Sequence, residues 1–254
     1  MIAFWNCEGI SRNQIAIQFI LGYTDIICLS ELNAADSTIN IVLKESNGIH
    51  FCCSDDVENN LGRAAIIWKD YLDPYITQFP CQSNSISCIK IMVDSNYPIY
   101  IASLYMPTAG KDSLYVDTLA ELTSLISDIY DNSTDPVILL GGDLNNSLKN
   151  KPRYSLWNHF ISQYQITQIH IQKPTYHHHL GDGVFDSFLD SALLINPPPN
   201  VSLSLTQQIC PKIYDVLDSK HDTLIVRLEV PILRPLNQLG TLKKGIVKIS
   251  PPSL

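Results

Sequence analysis

The sequence predicts a single α/β domain in which two packed β-sheets carry their helices on the outside. Three observations lead there. Short β-branched runs alternate with helical patterns along the chain. Several runs are apolar at every position, as in Val137-Ile138-Leu139-Leu140, which suits strands covered on both faces. Strand-like runs also stand at both ends of one continuous apolar pattern, which favours one layered domain over two.

Strands are expected at Ile2–Cys7, Asp25–Leu29, Ala64–Trp68, Ile86–Val93, Pro98–Tyr105, Pro136–Leu140, Phe188–Leu194 and Thr223–Val230. A first helix is expected after Ser11 as its cap, with Ile15, Phe19 and Ile20 facing the core and Gly22 closing it. A second is expected after Asp112, with a stripe of Leu119, Leu122, Leu125, Ile126 and Ile129 at helical spacing. The domain spans residues 1–230. From 231 to 254, Pro231, Pro235, Pro251 and Pro252 with Lys243 and Lys244 read as a Pro-rich tail or linker.

At 254 residues with 45% apolar and 17% charged side chains, the chain can bury a substantial core. A net charge of −8 counts against a protein that grips nucleic acid by bulk electrostatics, which needs clustered Lys and Arg. Seven cysteines, an odd number without a CxxC pair, support neither a disulfide framework nor a zinc ribbon. Reduced core thiols fit an intracellular compartment. The opening residues lack a secretory pattern, and the longest apolar region, Ile15 to Leu29, is broken by Gln18 and Asp25. No membrane partner is expected.

The candidate chemistry lies where polar residues meet strand ends. Asn6 ends the first apolar run, Glu31 follows the second, Tyr105 ends another, and Asp143 and Asn145 follow Leu140. Asp190 lies in Phe188-Leu189-Asp190, and His221 precedes the last strand. Packed sheets bring such ends together at one rim. Carboxylate oxygens after an apolar strand suit a hard cation such as Mg2+, or simply a solvated loop mouth. Gly141 and Gly142 allow a sharp turn, after which Asp143 and Asn145 either project to one side of an extended chain or form an Asx turn. His221 needs a carboxylate on one ring nitrogen to act near neutral pH, and Asp190 or Asp222 can supply it. The run His177-His178-His179 reads as a solvated or substrate-side loop.

Taken in order, Phe4-Trp5-Asn6-Cys7-Glu8-Gly9, Ile27-Cys28-Leu29-Ser30-Glu31, Ala64-Ala65-Ile66-Ile67-Trp68 and Ala102-Ser103-Leu104-Tyr105-Met106-Pro107 open a recognisable series. Leu140-Gly141-Gly142-Asp143-Leu144-Asn145, Pro174-Thr175-Tyr176-His177, Ser187-Phe188-Leu189-Asp190 and Ser219-Lys220-His221 complete it. This series resembles the successive motifs of the endonuclease/exonuclease/phosphatase superfamily over residues 2–230. Its Trp-Asn-Cys opening and Pro-Thr-Tyr-His element are most similar to the apurinic-endonuclease-like domains of non-LTR (LINE-type) retrotransposons.

The resemblance implies a DNase I-like, four-layer α/β sandwich with the site at the sheet rim. It implies a Mg2+-dependent phosphodiesterase, with Mn2+ as a substitute metal, that nicks one DNA strand and leaves a 3′-hydroxyl for target-primed reverse transcription. The reverse transcriptase would be encoded elsewhere or lost, and the protein would be nuclear when it acts on chromosomal DNA. By the same resemblance, Glu31 and Asn6 hold the metal and His221 with Asp190 acts at the scissile phosphate. Asp143 and Asn145 position or deprotonate water, Tyr105 donates to a phosphate oxygen, and Thr175 and Ser219 contact substrate. Sister readings are an abasic-site, RNA or lipid/inositol phosphoesterase, or a degenerate nucleic-acid-binding copy. One departure stands out: the family's Asp before the last-motif His is Lys220 here. Asp218 and Asp222 are the nearest carboxylates that could replace it.

Overall fold

The computed structural model describes residues 1–44, 48–55, 63–92, 98–146, 151–168, 171, 173–180, 183–196, 203–204 and 219–228. The expected tail at 231–254, Cys210 and Asp218 lie outside the described residues. In chain order the strands are β1 Ile2–Asn6, β2 Ile26–Ser30, β3 Ile49–Cys53, β4 Ala65–Lys69, β5 Ile76–Phe79, β6 Ile86–Met92, β7 Pro98–Tyr105 and β8 Val137–Asp143. They continue with β9 Thr167–Gln168, β10 Tyr176–Leu180, β11 Gly183–Ser187, β12 Asp190–Ile195, β13 Leu203–Ser204 and β14 Leu224–Leu228. The α-helices are α1 Gln14–Tyr23, α2 Asp36–Lys44, α3 Asp112–Asn132 and α4 Lys151–Gln163.

Two six-stranded sheets form, in the orders β13-β14-β1-β2-β4-β3 and β5-β6-β7-β8-β12-β9, with β10 and β11 as a separate ribbon. Three apolar clusters make the layers. Ile2, Phe4, Cys28 and Ile66 of the first sheet meet Ile89, Ile101, Leu139 and Leu194 of the second. Ala3, Trp5, Ile27 and Leu29 turn the other way, against Ile17, Ile20 and Ile39 of α1 and α2. Tyr100, Leu104 and Leu140 do the same against Leu122, Ile126, Trp157 and Phe160 of α3 and α4. Every residue of β1, β2 and β8 is therefore buried. This explains why their sequences are apolar without alternation. The result is the four-layer sandwich.

The site's placement follows from strand direction. β1 and β2 are parallel and joined through α1, and β7 and β8 are parallel and joined through α3. Each crossover brings two strand C-termini to one edge, so Asn6, Glu31, Tyr105 and Asp143 collect there. β12 runs antiparallel to β8 with Asp190 opposite Asp143. β14 runs antiparallel to β1, so the segment before it, carrying His221, returns to the same edge.

Five local expectations are corrected. Asn13, not Ser11, precedes α1, and Ile15 and Phe19 are 73% and 38% exposed while Ala16, Ile17, Ile20 and Leu21 face the core. Gly22 lies within α1, because the helix runs on to Tyr23 and is capped by Thr24, whose N–H still reaches the Ile20 carbonyl. Asp112 is the first helical residue of α3 rather than the residue before it. The strand expected from Phe188 begins at Asp190, where pairing to Asp143 starts, and Phe188 is half exposed. Finally, His177 and His178 are not in a loop: they lie in β10, paired with Asp186 and Phe185 of β11.

Candidate active site

Asn6 sits at the centre of the rim. It is fully buried, and its amide nitrogen donates to Glu31 Oε2 at 2.8 Å and to Asp143 Oδ2 at 2.9 Å. Its side-chain oxygen accepts the Glu8 N–H at 2.9 Å. A single amide thus spaces two carboxylates that come from different sheets. Ser103 ties the sheets just below, its hydroxyl donating to the Leu29 carbonyl at 2.7 Å.

Asp143 forms the Asx turn rather than an extended pair. Its Oδ1 accepts the Asn145 N–H at 2.9 Å, Asn145 has a left-handed φ of 43°, and the Asn145 amide donates to the Met106 carbonyl at 2.8 Å. Glu8 and Glu31 also have left-handed φ values, 45° and 58°. Three side-chain-bearing residues in that sparsely populated region at one rim are characteristic of a functional site.

His221, 4% exposed, points Nδ1 at Asp190 Oδ2, 2.8 Å away, and Nε2 toward Asp143 Oδ2 at 3.9 Å. The structure therefore selects Asp190, not Asp222, as its partner. Burial pulls the His221 imidazolium down, but Asp190 and then Asp143 and Glu8 outweigh it and lift it to about 9. Burial and then Asp190 push the Asp143 carboxyl up to about 7, against the pull of His221, the Asn145 N–H and Asn6. Tyr105, at the end of β7, is held firmly as a neutral phenol by burial and then by Glu31, Asp143 and Glu8. It is thus a standing hydrogen-bond donor facing acidic groups.

Thr175 and Ser219 serve the frame. Thr175 is fully buried and its hydroxyl accepts the N–H groups of Leu189 and Asp190 at 3.2 and 3.0 Å. Ser219 Oγ donates to the Asn6 carbonyl at 2.7 Å and accepts the His221 N–H at 3.1 Å. Lys220 turns away from the carboxylate cluster toward Glu8, its N–H on Oε2 at 2.7 Å and its ammonium 3.7 Å from Oε1. Asp222 lies beside the ribbon, its carboxylate 3.3 Å from His177 Nε2. Glu8 and His177 are site residues the sequence did not single out. Glu8 was visible only as part of the Phe4–Gly9 motif, and His177 only as the end of the Pro174–His177 motif and one of three adjacent histidines.

Beside Asp190, a cleft of about 420 Å3 opens between Leu144, Tyr154, Trp157 and Phe188. Asp190 Oδ1 is buried and accepts no hydrogen bond among the described residues. Asp143, Asp190 and His221 offer ligand atoms within 4.8 Å of one another. Oxygen-rich, like-charged and with one buried oxygen unpartnered, this rim suits a hard divalent cation.

The architecture is a DNase I-like four-layer sandwich. The solved structures it resembles include the endonuclease domain of TRAS1, a telomere-specific non-LTR retrotransposon. That likeness has a TM-score of 0.67 at 15% identity over 91% of this chain and 98% of that domain. AP endonuclease LMAP from Leishmania major matches with a TM-score of 0.71 at 11% identity, over 91% of this chain and 87% of that one. The mannosyl-6-phosphatase Bt3783 of Bacteroides thetaiotaomicron VPI-5482 matches at 0.61 and 13%, over 90% of this chain and 99% of that one. No protein-family model and no curated protein matches the sequence. Such identities establish a shared fold, and the chemistry must be argued from this chain's own residues. Among the described residues, no helix is long and apolar enough to cross a membrane.

Proposed function

We propose that this chain is a divalent-metal-dependent phosphodiesterase, and that it is a DNA endonuclease nicking one strand to leave a 3′-hydroxyl for reverse transcription. One observation carries the reading: a single buried amide, Asn6, bridges Glu31 and Asp143 directly opposite the Asp190–His221 pair. A carboxylate that can hold a cation, a carboxylate near neutral pKa and an imidazolium then share one rim, a set suited to hydrolysis of a phosphodiester.

Bound at Glu31, with Asn6 fixing that carboxylate, Mg2+ or Mn2+ would withdraw charge from the phosphate and the leaving 3′-oxygen. Asp143, lifted to about 7, accepts the proton of the attacking water, with the Asn145 turn holding its Oδ1. Water's oxygen bonds to phosphorus as the P–O3′ bond breaks, and the departing 3′-oxygen takes a proton from solvent water to become the 3′-hydroxyl. His221, kept protonated by Asp190, donates to a phosphoryl oxygen, and Tyr105 donates to another. Ser219 and Thr175 orient His221 and Asp190 around the substrate phosphate.

A supercoiled plasmid should become nicked with Mg2+, stay intact with EDTA, and yield ends that a DNA polymerase extends without phosphatase treatment. An intact plasmid, with turnover of an abasic, RNA, inositol-phosphate or other phosphate ester instead, removes the nicking role. No turnover of any phosphate ester removes the enzyme reading and leaves a degenerate binding copy.

Metal binding also predicts a pH-dependent stability. Asp143 and His221 both have raised folded pKa values. The Asp143 contribution is therefore complete only below its ordinary 3.8 and is lost as pH rises through about 7. The His221 contribution is complete below 6.5 and is lost through about 9. Without metal, these groups make the protein less stable as pH climbs. A cation favours ionised Asp143, so Mg2+ at roughly 100 times its Kd should raise Tm by about 5 °C or more near neutral to alkaline pH. The rise should be smaller on the acid side of Asp143's pKa. Equal shifts across that range in a thermal melt would contradict the assignment.

A further inference from the structure

The geometry points to His177 as a positioning residue that, through Asp222 and Asp186, fixes the His221 segment against the β10–β11 ribbon. This inference rests on the proposed role of His221.

His177 is placed between two carboxylates, with Nδ1 2.8 Å from Asp186 Oδ1 and Nε2 3.3 Å from Asp222 Oδ2. These three residues come from three separate stretches of chain: β10, β11 and the 219–223 segment. Asp222 is buried, Asp186 is exposed, and His177 is half-buried. A buried carboxylate needs a donor or a cation. Protonated, His177 supplies such a donor to Asp222 from across the gap between two strands while also donating to Asp186.

The backbone makes the same join. The His177 N–H donates to the Lys220 carbonyl at 2.9 Å, and the Asp222 N–H donates to the Thr175 carbonyl at 2.7 Å. Between these bonds Tyr176 forms an isolated antiparallel bridge to His221, and its ring lies 4.8 Å from the imidazole. Thr175, one residue earlier, holds the Asp190 N–H. Residues 175–177 therefore touch both halves of the Asp190–His221 pair. Two backbone bonds secure this join among the described residues, and a side-chain clamp at its exposed edge adds to them.

Supporting interactions behind a catalytic group are typically worth about 10- to 100-fold in activity. His177→Ala should therefore lower kcat for plasmid nicking by about 10- to 100-fold with KM within about twofold. Asp222→Asn should lower kcat in the same way. His177→Gln, which keeps an amide donor, should recover most of the loss. An activity-independent readout is the 15N-coupled NMR signal of the His221 ring in metal-free protein. It should shift or broaden in His177→Ala, since Nδ1 would no longer be held on Asp190. A folded His177→Ala protein with unchanged kcat and unchanged His221 signals overturns the inference. So does a raised KM at constant kcat, which would make His177 a substrate contact instead. If His177→Ala fails to fold, Asp222→Asn decides by the same two readouts. If the wild-type protein cuts no DNA, the proposed function fails, while the His221 signals still decide the clamp.

Discussion

His221→Ala should lower kcat for phosphodiester cleavage by about 10³- to 10⁴-fold, an effect of roughly 4–5.5 kcal/mol on the barrier. The size follows from what His221 alone supplies. It is the one imidazole placed between Asp190, at 2.8 Å, and Asp143, at 3.9 Å. Its imidazolium is retained up to about pH 9 by those neighbours although it is almost wholly buried. Alanine removes the donor to the phosphoryl oxygen. It also leaves Asp143 facing Asp190 with no cation between them, which shifts the carboxyl proposed as the base. Both effects act on the transition state, so kcat and kcat/KM should fall together. Circular dichroism and a thermal melt on the same sample separate this from unfolding. Unchanged turnover in folded protein would remove His221 from the mechanism.

The layered fold was legible because burial on both faces leaves an unambiguous record. Val137–Leu140 and Ile26–Leu29 are apolar throughout, and each proves to be covered by a helix layer and by the other sheet. α1 was harder to read. Its sequence offers apolar residues around most of its circumference, and Ile15 and Phe19 fit one helical stripe as well as Ile17 and Leu21 fit another. Only the packing decides. Strand ends told where polar side chains gather, since Asn6, Glu31, Tyr105, Asp143 and Asp190 all stand at the boundary between an apolar run and a turn.

Pairings across the rim were not legible, because they depend on register between segments far apart in sequence. Asp190 and Asp222 are equally plausible partners for His221 on the page. The antiparallel register that sets Asp190 opposite Asp143 decides between them. His177 stayed hidden for a related reason. Three adjacent histidines look alike until β10 pairs with β11, which turns successive side chains to opposite faces and gives this one Asp186 and Asp222 as neighbours.

Gly142→Ala should be the most damaging single substitution for stability, about 4 kcal/mol or more, with a fall in Tm of about 10 °C. The glycine pair before Asp143 is visible in the sequence, but its two members do different things. A Cβ on Gly141 would meet the Phe4 ring at 2.6 Å. That contact overpacks the space between the sheets, at about 1–3 kcal/mol. A Cβ on Gly142 would lie 2.0 Å from the Leu104 carbonyl oxygen, and its φ of +138° is one that side-chain-bearing residues rarely adopt. Leu104 is the ladder partner of Gly142, and the next rung pairs Tyr105 with Asp143. Backbone cannot rotate aside as a ring can, so relief must come from moving β7 away from β8. That movement displaces the Asp143 carboxylate from Asn6 and His221. Any folded Gly142→Ala protein should therefore also lose most of its turnover, whereas Gly141→Ala should lose stability with a smaller loss of turnover. A Gly142→Ala melt within about 2 °C of wild type would mean that the rim tolerates the separation of these two strands. The carboxylate geometry would then not depend on the close approach of β7 and β8.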